Sequence, residues 1–281
     1  MMKHPLPAGI PGIEHYMANL ESADFKDMEN FSDRFVSSNE DILKEYIRKW
    51  VRDPLHQWSR LWEYPFVFSR IRAQLEKHEH QAVLDAGSGV TFFPYYIKSK
   101  YPFIDTFCGD YDESHGETFL RLNRRLGLET NFQCFDLKNI PFDDGRFDIV
   151  YCISVLEHTN DYRDIIEQFY RIIKNGGKLV LTFDVSLDGS DDISPERGSE
   201  LIQTLTDNFT CDDELAVDLL QQIDRPGIFS TQYAKKIDLK LLPWKKPSIL
   251  KRIKSVLSGS ERTQWPPSLT VFCVSLTKQT G

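Results

Sequence analysis

The stretch Val83-Leu84-Asp85-Ala86-Gly87-Ser88-Gly89 decides the predicted fold of this chain, together with Asp110 at the end of the next apolar run. An apolar segment that leads into two glycines predicts a buried strand followed by a tight turn. Gly87 and Gly89 can adopt positive φ and let a ligand approach the bare backbone. The pattern therefore predicts a nucleotide-binding strand, turn and helix.

The charges beside the turn indicate which nucleotide it suits. A dinucleotide-binding turn has a third glycine and presses a pyrophosphate against the helix N-terminus. Here Phe92 takes the place of that glycine, and Asp85 would repel a pyrophosphate. S-adenosylmethionine (SAM) carries an ammonium, a sulfonium and a ribose diol but no phosphate, so the carboxylates of Asp85 and Asp110 suit it.

The same residues resemble a motif of the class I SAM-dependent methyltransferases. Asp85, Gly87 and Gly89 match the family's D-x-G-x-G sequence, and its ribose-binding acid falls on Asp110. The resemblance further implies that Tyr111 lies along the adenine ring. A member of this family would bind SAM and release S-adenosylhomocysteine (SAH) as the product.

Two later segments extend the resemblance. Residues 140–158 are similar to the family's fourth-strand region, and residues 174–180 to the start of its fifth strand. Asn175 replaces the proline that is usual before the paired glycines, but asparagine also permits a left-handed helix ending. The resemblance covers residues 81–184 and implies an α/β fold with a Rossmann-like, mostly parallel sheet and an antiparallel C-terminal strand.

The candidate cofactor-binding residues share a position at or just after the carboxyl end of a predicted strand. They are Asp85, Gly87, Ser88, Gly89, Asp110, Tyr111, Asp136, Leu137, Ile153 and Ser154. Asp85 would hold the SAM ammonium directly or through water, and Asp110 would accept both ribose hydroxyls. The resemblance places Asp136 at the adenine amino group, and Ile153 and Ser154 beneath the methionine portion. Acids at strand ends can also cap a helix or a turn.

Methyl transfer from a sulfonium is an in-line displacement, so the enzyme chiefly aligns nucleophile, carbon and sulfur. No metal ion is required, and none is predicted. Glu157 and His158 follow the predicted fourth strand at the mouth of the site and are the candidate catalytic residues. His158 is the better general base for a hydroxyl or a protonated amine, because the unperturbed pKa of histidine lies near neutrality. The alternative is a His158 side chain that bonds to backbone at a helix N-terminus.

The composition narrows the class of protein. The chain has 281 residues, 41% of them hydrophobic, and a formal net charge of -8 at pH 7. An acidic chain is a poor match to nucleic acid, whose phosphates favour a basic face. Five cysteines without a C-x-x-C pair fit a reducing compartment, where buried thiols act as small hydrophobic groups. No apolar run is long enough to span a bilayer, so we expect a soluble, cytoplasmic protein.

The alternation of patterns along the chain predicts its domains. Helical periodicity fills residues 1–80, which we predict to be a helical cap, and β-α alternation follows. Residues 81–281 would then form the SAM-binding domain, with a lid or insertion at about residues 185–260. The predicted strands are 82–86, 104–108, 131–135, 147–153, 178–183 and 269–276, and the predicted helices of this domain are 93–100, 113–126, 161–174 and 195–223.

The cap is rich in large aromatic side chains. A short helix is predicted around Trp58 and Trp62, and a further helix is predicted to begin at Pro65. The tryptophan rings either line an acceptor pocket or hold the cap against the core. The cap therefore bears on the choice of acceptor as well as on stability.

The acceptor is the least determined part of the function. The aromatic cap favours a ring-containing molecule, whereas the many Lys and Arg residues of 235–254 favour an anionic one. Residues 248–258 can form an amphipathic helix whose charged face is either solvated or in contact with an anionic surface. Two other functions stay open, a non-catalytic protein that retains the fold and a nicotinamide-dependent dehydrogenase. We predict methyl transfer to an oxygen or nitrogen of a small or medium-sized acceptor, with neither nucleic acid nor an integral membrane as partner.

Overall fold

The computed structural model describes residues 5–50, 53–77, 80–189, 193–214, 219–245 and 265–279. The helices are α1 (Ile13–Leu20), α2 (Ala23–Ser38), α3 (Glu40–Lys49), α4 (Arg60–Leu75), α5 (Phe93–Lys100), α6 (His115–Leu126), α7 (Tyr162–Ile172), α8 (Pro195–Asn208), α9 (Leu219–Ile223) and α10 (Thr231–Ile237). The strands are β1 (Ala82–Ala86), β2 (Asp105–Asp110), β3 (Asn131–Cys134), β4 (Phe147–Ile153), β5 (Ile173–Ser186), β6 (Thr210–Cys211) and β7 (Leu269–Thr277). Short 3₁₀ turns cover Leu156–His158 and Leu239–Leu241.

Within the described residues the strands form one sheet in the order β3-β2-β1-β4-β5-β7-β6. Strands β1 to β5 are parallel, and β7 runs antiparallel to β5. The predicted Rossmann-like sheet with an antiparallel C-terminal strand is confirmed. The chain order reverses between β1 and β4, and in open sheets of this kind ligands bind in the crevice at the carboxyl ends of such a pair.

The sheet is buried on both faces, as its apolar strands require. On one face Val83, Tyr151 and Val180 pack with side chains from helices α1 to α6. On the other, Leu84 and Leu181 pack with side chains from α7 and α8. The helices of residues 1–80 therefore share a continuous core with the sheet, while a domain division at residue 80 stays a prediction.

The prediction that a helix begins at Pro65 was wrong, because α4 begins at Arg60. The helix begins earlier and continues through this proline, which cannot bond to the carbonyl of Leu61 four residues before it. The side-chain amide of Asn19, from α1, donates to that carbonyl at 2.9 Å. Because Asn19 satisfies the orphaned acceptor, the proline is tolerated inside the helix.

The remaining differences from the sequence predictions are local. The predicted helix at 195–223 is divided by β6, so that prediction was wrong as a single element. Cys134 was expected in an apolar strand but is exposed. Trp58 and Trp62 are buried, and Trp58 stacks near Phe229 with ring centroids 6.1 Å apart. The predicted amphipathic helix at 248–258 lies outside the described residues.

Among the residues that the structure describes, no helix combines the length and apolar character needed to cross a bilayer.

Candidate functional site

The turn after β1 is glycine-rich for two physical reasons. Gly87 has φ of 75° and Gly89 has φ of 50°, both in the left-handed region. A Cβ atom added to Gly87 would lie 2.5 Å from a methyl of Val155, and one added to Gly89 would collide with the hydroxyl of Tyr46. The turn is therefore pressed between the loop after β4 and helix α3, with space only for bare backbone.

Asp110 ends β2 directly beside this turn. Its carboxylate accepts from the backbone N–H of Gly89 at 2.9 Å and from that of Asp112 at 3.1 Å. These two bonds fix the orientation of a side chain that is only 9% exposed. Each carboxylate oxygen can accept a further hydrogen bond. Asp110 can therefore receive a diol, as the sequence predicts.

Asp85 lies deeper, at the end of β1. It is 5% exposed, and burial together with the nearby Asp110 carboxylate raises the pKa of Asp85 well above its ordinary value. A buried acid of this kind favours its neutral form until a cation comes near. The site is therefore electrostatically suited to a positively charged ligand.

The other predicted cofactor residues lie nearer the surface or at the end of β4. Tyr111 is 69% exposed beside Asp110. The side chain of Asp136 is 61% exposed, and it accepts from the backbone N–H of Lys138 at 2.9 Å, which is a turn-capping contact. Leu137 and Ile153 are half-buried. The structure thus brings Asp85, the glycine turn and Asp110 together in the crevice and leaves Asp136 at its rim.

Helix α3 covers the glycine turn. Tyr46 is its contact with Gly89, and burial raises the pKa of the Tyr46 phenol to about 12. On the outside, Asp41 pairs with Arg125 of α6, one of the two bonds being 3.0 Å long, and Lys49 pairs with Asp112. The inner contact is thus uncharged, and the outer contacts are ion pairs in solvent.

A second polar group, the Glu63 network, consists of Arg60, Glu63, Ser154 and Thr182. The side chain of Glu63 is fully buried, and its carboxylate accepts from the hydroxyls of Ser154, at 2.7 Å, and Thr182, at 2.5 Å. Arg60 donates to both Glu63 and Ser154. Ser154 has φ of 48°, a conformation that non-glycine residues adopt at some cost. The network therefore joins the first turn of α4 to the carboxyl ends of β4 and β5.

Glu157 lies next to this network. It is 9% exposed, and neither of its carboxyl oxygens has a hydrogen-bond partner among the residues that the structure describes. Burial raises the pKa of Glu157 to about 8. The nearby Glu63 carboxylate adds to this rise, whereas the Arg60 guanidinium opposes it. The neighbouring His158 is exposed. Of the two predicted catalytic residues, Glu157 therefore faces the interior and His158 faces solvent.

Sequence reasoning missed Arg60, Glu63 and Tyr46 as parts of the site. Tyr46 lies within the helical pattern of residues 1–80, and its contact with Gly89 depends on tertiary packing. The signal for the other two was present, since Arg60 and Glu63 stand three residues apart within a segment rich in aromatic side chains. Such spacing puts both on one helix face, where apolar neighbours bury them together.

Comparisons with known proteins support the fold and a methyltransferase domain. Residues 84–181 match a family model described as a methyltransferase domain. A solved structure from Galdieria sulphuraria that carries the name sarcosine dimethylglycine methyltransferase superposes with a TM-score of 0.52. The two chains are 14% identical, over 74% of this chain and 82% of that one, which is a likeness of fold.

Curated relatives match shorter parts of the chain. An uncharacterized protein of Methanocaldococcus jannaschii is 30% identical over 145 residues, 50% of this chain and 59% of that protein. A ubiquinone biosynthesis O-methyltransferase of Coxiella burnetii is 42% identical over 52 residues, 18% of this chain and 22% of that protein. A sarcosine/dimethylglycine N-methyltransferase of Aphanothece halophytica is 26% identical over 102 residues, 36% of each chain. The chain therefore spans less than two thirds of the length of these relatives.

Proposed function

We propose that this chain, which belongs to the class I SAM-dependent methyltransferase family, transfers the methyl group of SAM to an oxygen or nitrogen of a small or medium-sized acceptor. The observation that carries the proposal is the fixed carboxylate of Asp110 beside a bare glycine turn at the sheet's switch point. A carboxylate that still has accepting capacity suits the ribose diol of SAM.

The buried acids support SAM over a nicotinamide dinucleotide. Asp85 and Asp110 both lie in the crevice, and the charged form of Asp85 is unfavourable while no cation is near. A pyrophosphate would add negative charge at this point, whereas the ammonium and sulfonium of SAM add positive charge. In this proposal Asp85 holds the ammonium, and Gly87 to Gly89 form the backbone wall of the site.

The loop after β4 supplies the acceptor side of the proposed reaction. Ser154 lies beneath the methionine portion of SAM, and Glu157 lies beyond it against the cap. Glu157 then contacts the acceptor, and His158 at the surface exchanges protons with solvent. In-line displacement from sulfur needs this alignment more than it needs a strong base.

Calorimetric titration of the purified chain with SAM, SAH and NADH tests the proposal. We expect SAM and SAH to bind with dissociation constants in the micromolar range or below, and NADH not to bind. The variant Asp110→Ala should weaken SAH binding at least about tenfold, because it removes charge-assisted hydrogen bonds worth about 1.5 kcal/mol or more. Asp143→Ala, which changes an exposed acid, is the matched control and should bind normally.

Two results would count against the proposal in different ways. If the wild-type chain binds neither SAM nor SAH, the methyltransferase function is wrong. If Asp110→Ala binds SAH as the wild type does, while its thermal unfolding shows an intact fold, Asp110 does not hold the ribose.

A further inference from the structure

The acceptor side of the crevice carries more acid than base. The carboxyls of Glu63, Asp184 and Glu157 all act on the guanidinium of Arg60 and, although burial opposes its charge, they raise the pKa of Arg60. Arg60 donates its hydrogen bonds here to Glu63 and Ser154. The guanidinium of Arg60 therefore forms its ion pair with Glu63.

Glu157 is an acid in this group that receives no hydrogen bond from Arg60. Its carboxyl is buried, and neither oxygen has a hydrogen-bond partner of good geometry among the described residues. The Ser154 hydroxyl is close to Glu157, but it donates its one proton to Glu63. A buried acid without partners is costly for the folded protein, and such groups call for a functional explanation. A ligand that brings positive charge and N–H donors to Glu157 would supply what the protein does not.

We propose that the methyl acceptor is an amine that binds as its ammonium ion, with the ammonium against the Glu157 carboxylate. This inference rests on the methyltransferase function proposed above and names its substrate class. An anionic acceptor would have to compete with Glu63 for Arg60, and it would lie beside two further carboxyl groups. An alcohol brings no positive charge, so Glu157 would stay in the neutral form that its burial favours and could not act as a base.

The chemistry balances with these groups alone. Glu157 takes one proton from the bound ammonium, which leaves a neutral amine and a carboxylic acid. The nitrogen lone pair then forms a bond to the methyl carbon, while the carbon–sulfur bond breaks and its electron pair stays on sulfur. The products are a methylated ammonium and SAH, and Glu157 returns its proton to solvent when the product leaves.

The test compares two cofactor analogues that differ at the position of the transferred methyl. SAH has no group there, whereas sinefungin carries an ammonium on carbon in place of the methyl on sulfur. We expect sinefungin to bind the full chain at least about tenfold more tightly than SAH, since its ammonium reaches Glu157. In Glu157→Gln this preference should fall at least fivefold, with the dissociation constant of SAH unchanged within twofold. Glu167→Gln, an exposed change of the same kind on α7, should keep the preference.

The outcomes separate this inference from the proposed function. If SAH binds but sinefungin has no advantage, or if Glu157→Gln keeps the advantage, the amine-binding role is wrong and the methyltransferase function stands. If neither analogue binds the wild type, both proposals fail.

Matched acceptor pairs give a second measurement. Transfer of labelled methyl from SAM is compared for benzylamine with benzyl alcohol and for butylamine with butanol. Wherever transfer occurs, the amine should react at least tenfold faster than its alcohol. A faster alcohol overturns the inference, and if no member of a pair reacts, the sinefungin comparison decides.

Discussion

The two sides of the crevice are built in different ways. The cofactor side comes from one β-α-β unit, residues 82–110, in which a glycine turn and Asp110 meet through local chain geometry. The acceptor side is assembled across the chain, since Glu63 lies 91 positions from Ser154 and 119 from Thr182. A local site follows from the sequence of one segment, whereas an assembled site depends on how distant segments pack.

The two sides also differ in how well their acids are satisfied. Asp110 accepts two backbone hydrogen bonds, and Glu63 is bonded to two hydroxyls and a guanidinium. Glu157 has no such partners among the described residues. The proposed cofactor side is thus preorganised, while on the proposed acceptor side one buried carboxyl, that of Glu157, is left without hydrogen bonds.

The largest expected effect comes from breaking the assembled side. Glu63→Ala leaves Arg60 without its carboxylate and leaves the hydroxyls of Ser154 and Thr182 without their acceptor. We expect a loss of about 3 kcal/mol in the free energy of unfolding, measured by urea denaturation, because breaking a buried ion pair strands its partner. Glu167→Ala, on the exposed face of α7, should change it by no more than about 0.5 kcal/mol. A loss below about 1 kcal/mol for Glu63→Ala would mean that the Glu63 network does not hold the two elements together.

A smaller effect is expected from changing the contact between Tyr46 of α3 and Gly89 of the turn. Gly89→Ala should cost about 1–2 kcal/mol of unfolding free energy, because alanine is strained at positive φ. The new methyl group would also meet the hydroxyl of Tyr46. In the Tyr46→Phe background the hydroxyl is gone, so the cost of Gly89→Ala should fall by about 0.5 kcal/mol or more. Additive costs in this double-mutant cycle would show that α3 does not press on the turn in solution.

The smallest expected effect concerns the segment that joins α3 to α4. His56 bonds to Asp53 at 2.8 Å and to Glu29 of α2 at 3.2 Å, and the Asp53 hydrogen bond raises the pKa of His56 to about 9. The folded pKa exceeds the unfolded one, so this contribution is complete below about pH 6.5 and is lost as pH rises through about 9. Its size should be below about 1 kcal/mol, since the side chain is 32% exposed.

Urea denaturation of wild type and His56→Gln at pH 6 and pH 9.5 measures this contribution. The stability difference between the two proteins should shrink at the higher pH. A difference that stays constant over this range would show that the imidazolium does not attach the segment to α2.

The success of the sequence predictions follows the same division between local and distant structure. The bounds of β1, β4 and α5 were predicted correctly, because each is a short apolar run between turn residues. Strand β5 extends back to Ile173, through glycines that indicated a turn, because Phe147 of β4 pairs with it there. The start of α4 was misplaced, since the contact that rescues Pro65 comes from Asn19 in another helix.

The site residues show the same contrast. Asp85, Gly87, Gly89 and Asp110 were placed together from the strand-turn pattern and the family resemblance, and the structure brings them together. The contact between Ser154 and Glu63 could not be predicted in this way. Ser154 lies at the end of a strand, and nothing in the sequence there indicates which helix will pack against it. The roles of these residues toward ligands stay predictions for the binding experiments.

The covering of Gly89 by α3 has a kinetic consequence. The Tyr46 hydroxyl fills the space beside the α-carbon of Gly89, so a ligand that contacts this α-carbon would need the Tyr46 ring or α3 to move aside. The ion pairs that hold α3 in place include Asp41 with Arg125, exposed on both sides, and Lys49 with Asp112, exposed on the lysine side, so salt should weaken both. Helix α4, in contrast, is joined to β4 and β5 by the buried hydrogen bonds of Glu63, which salt does not weaken in the same way.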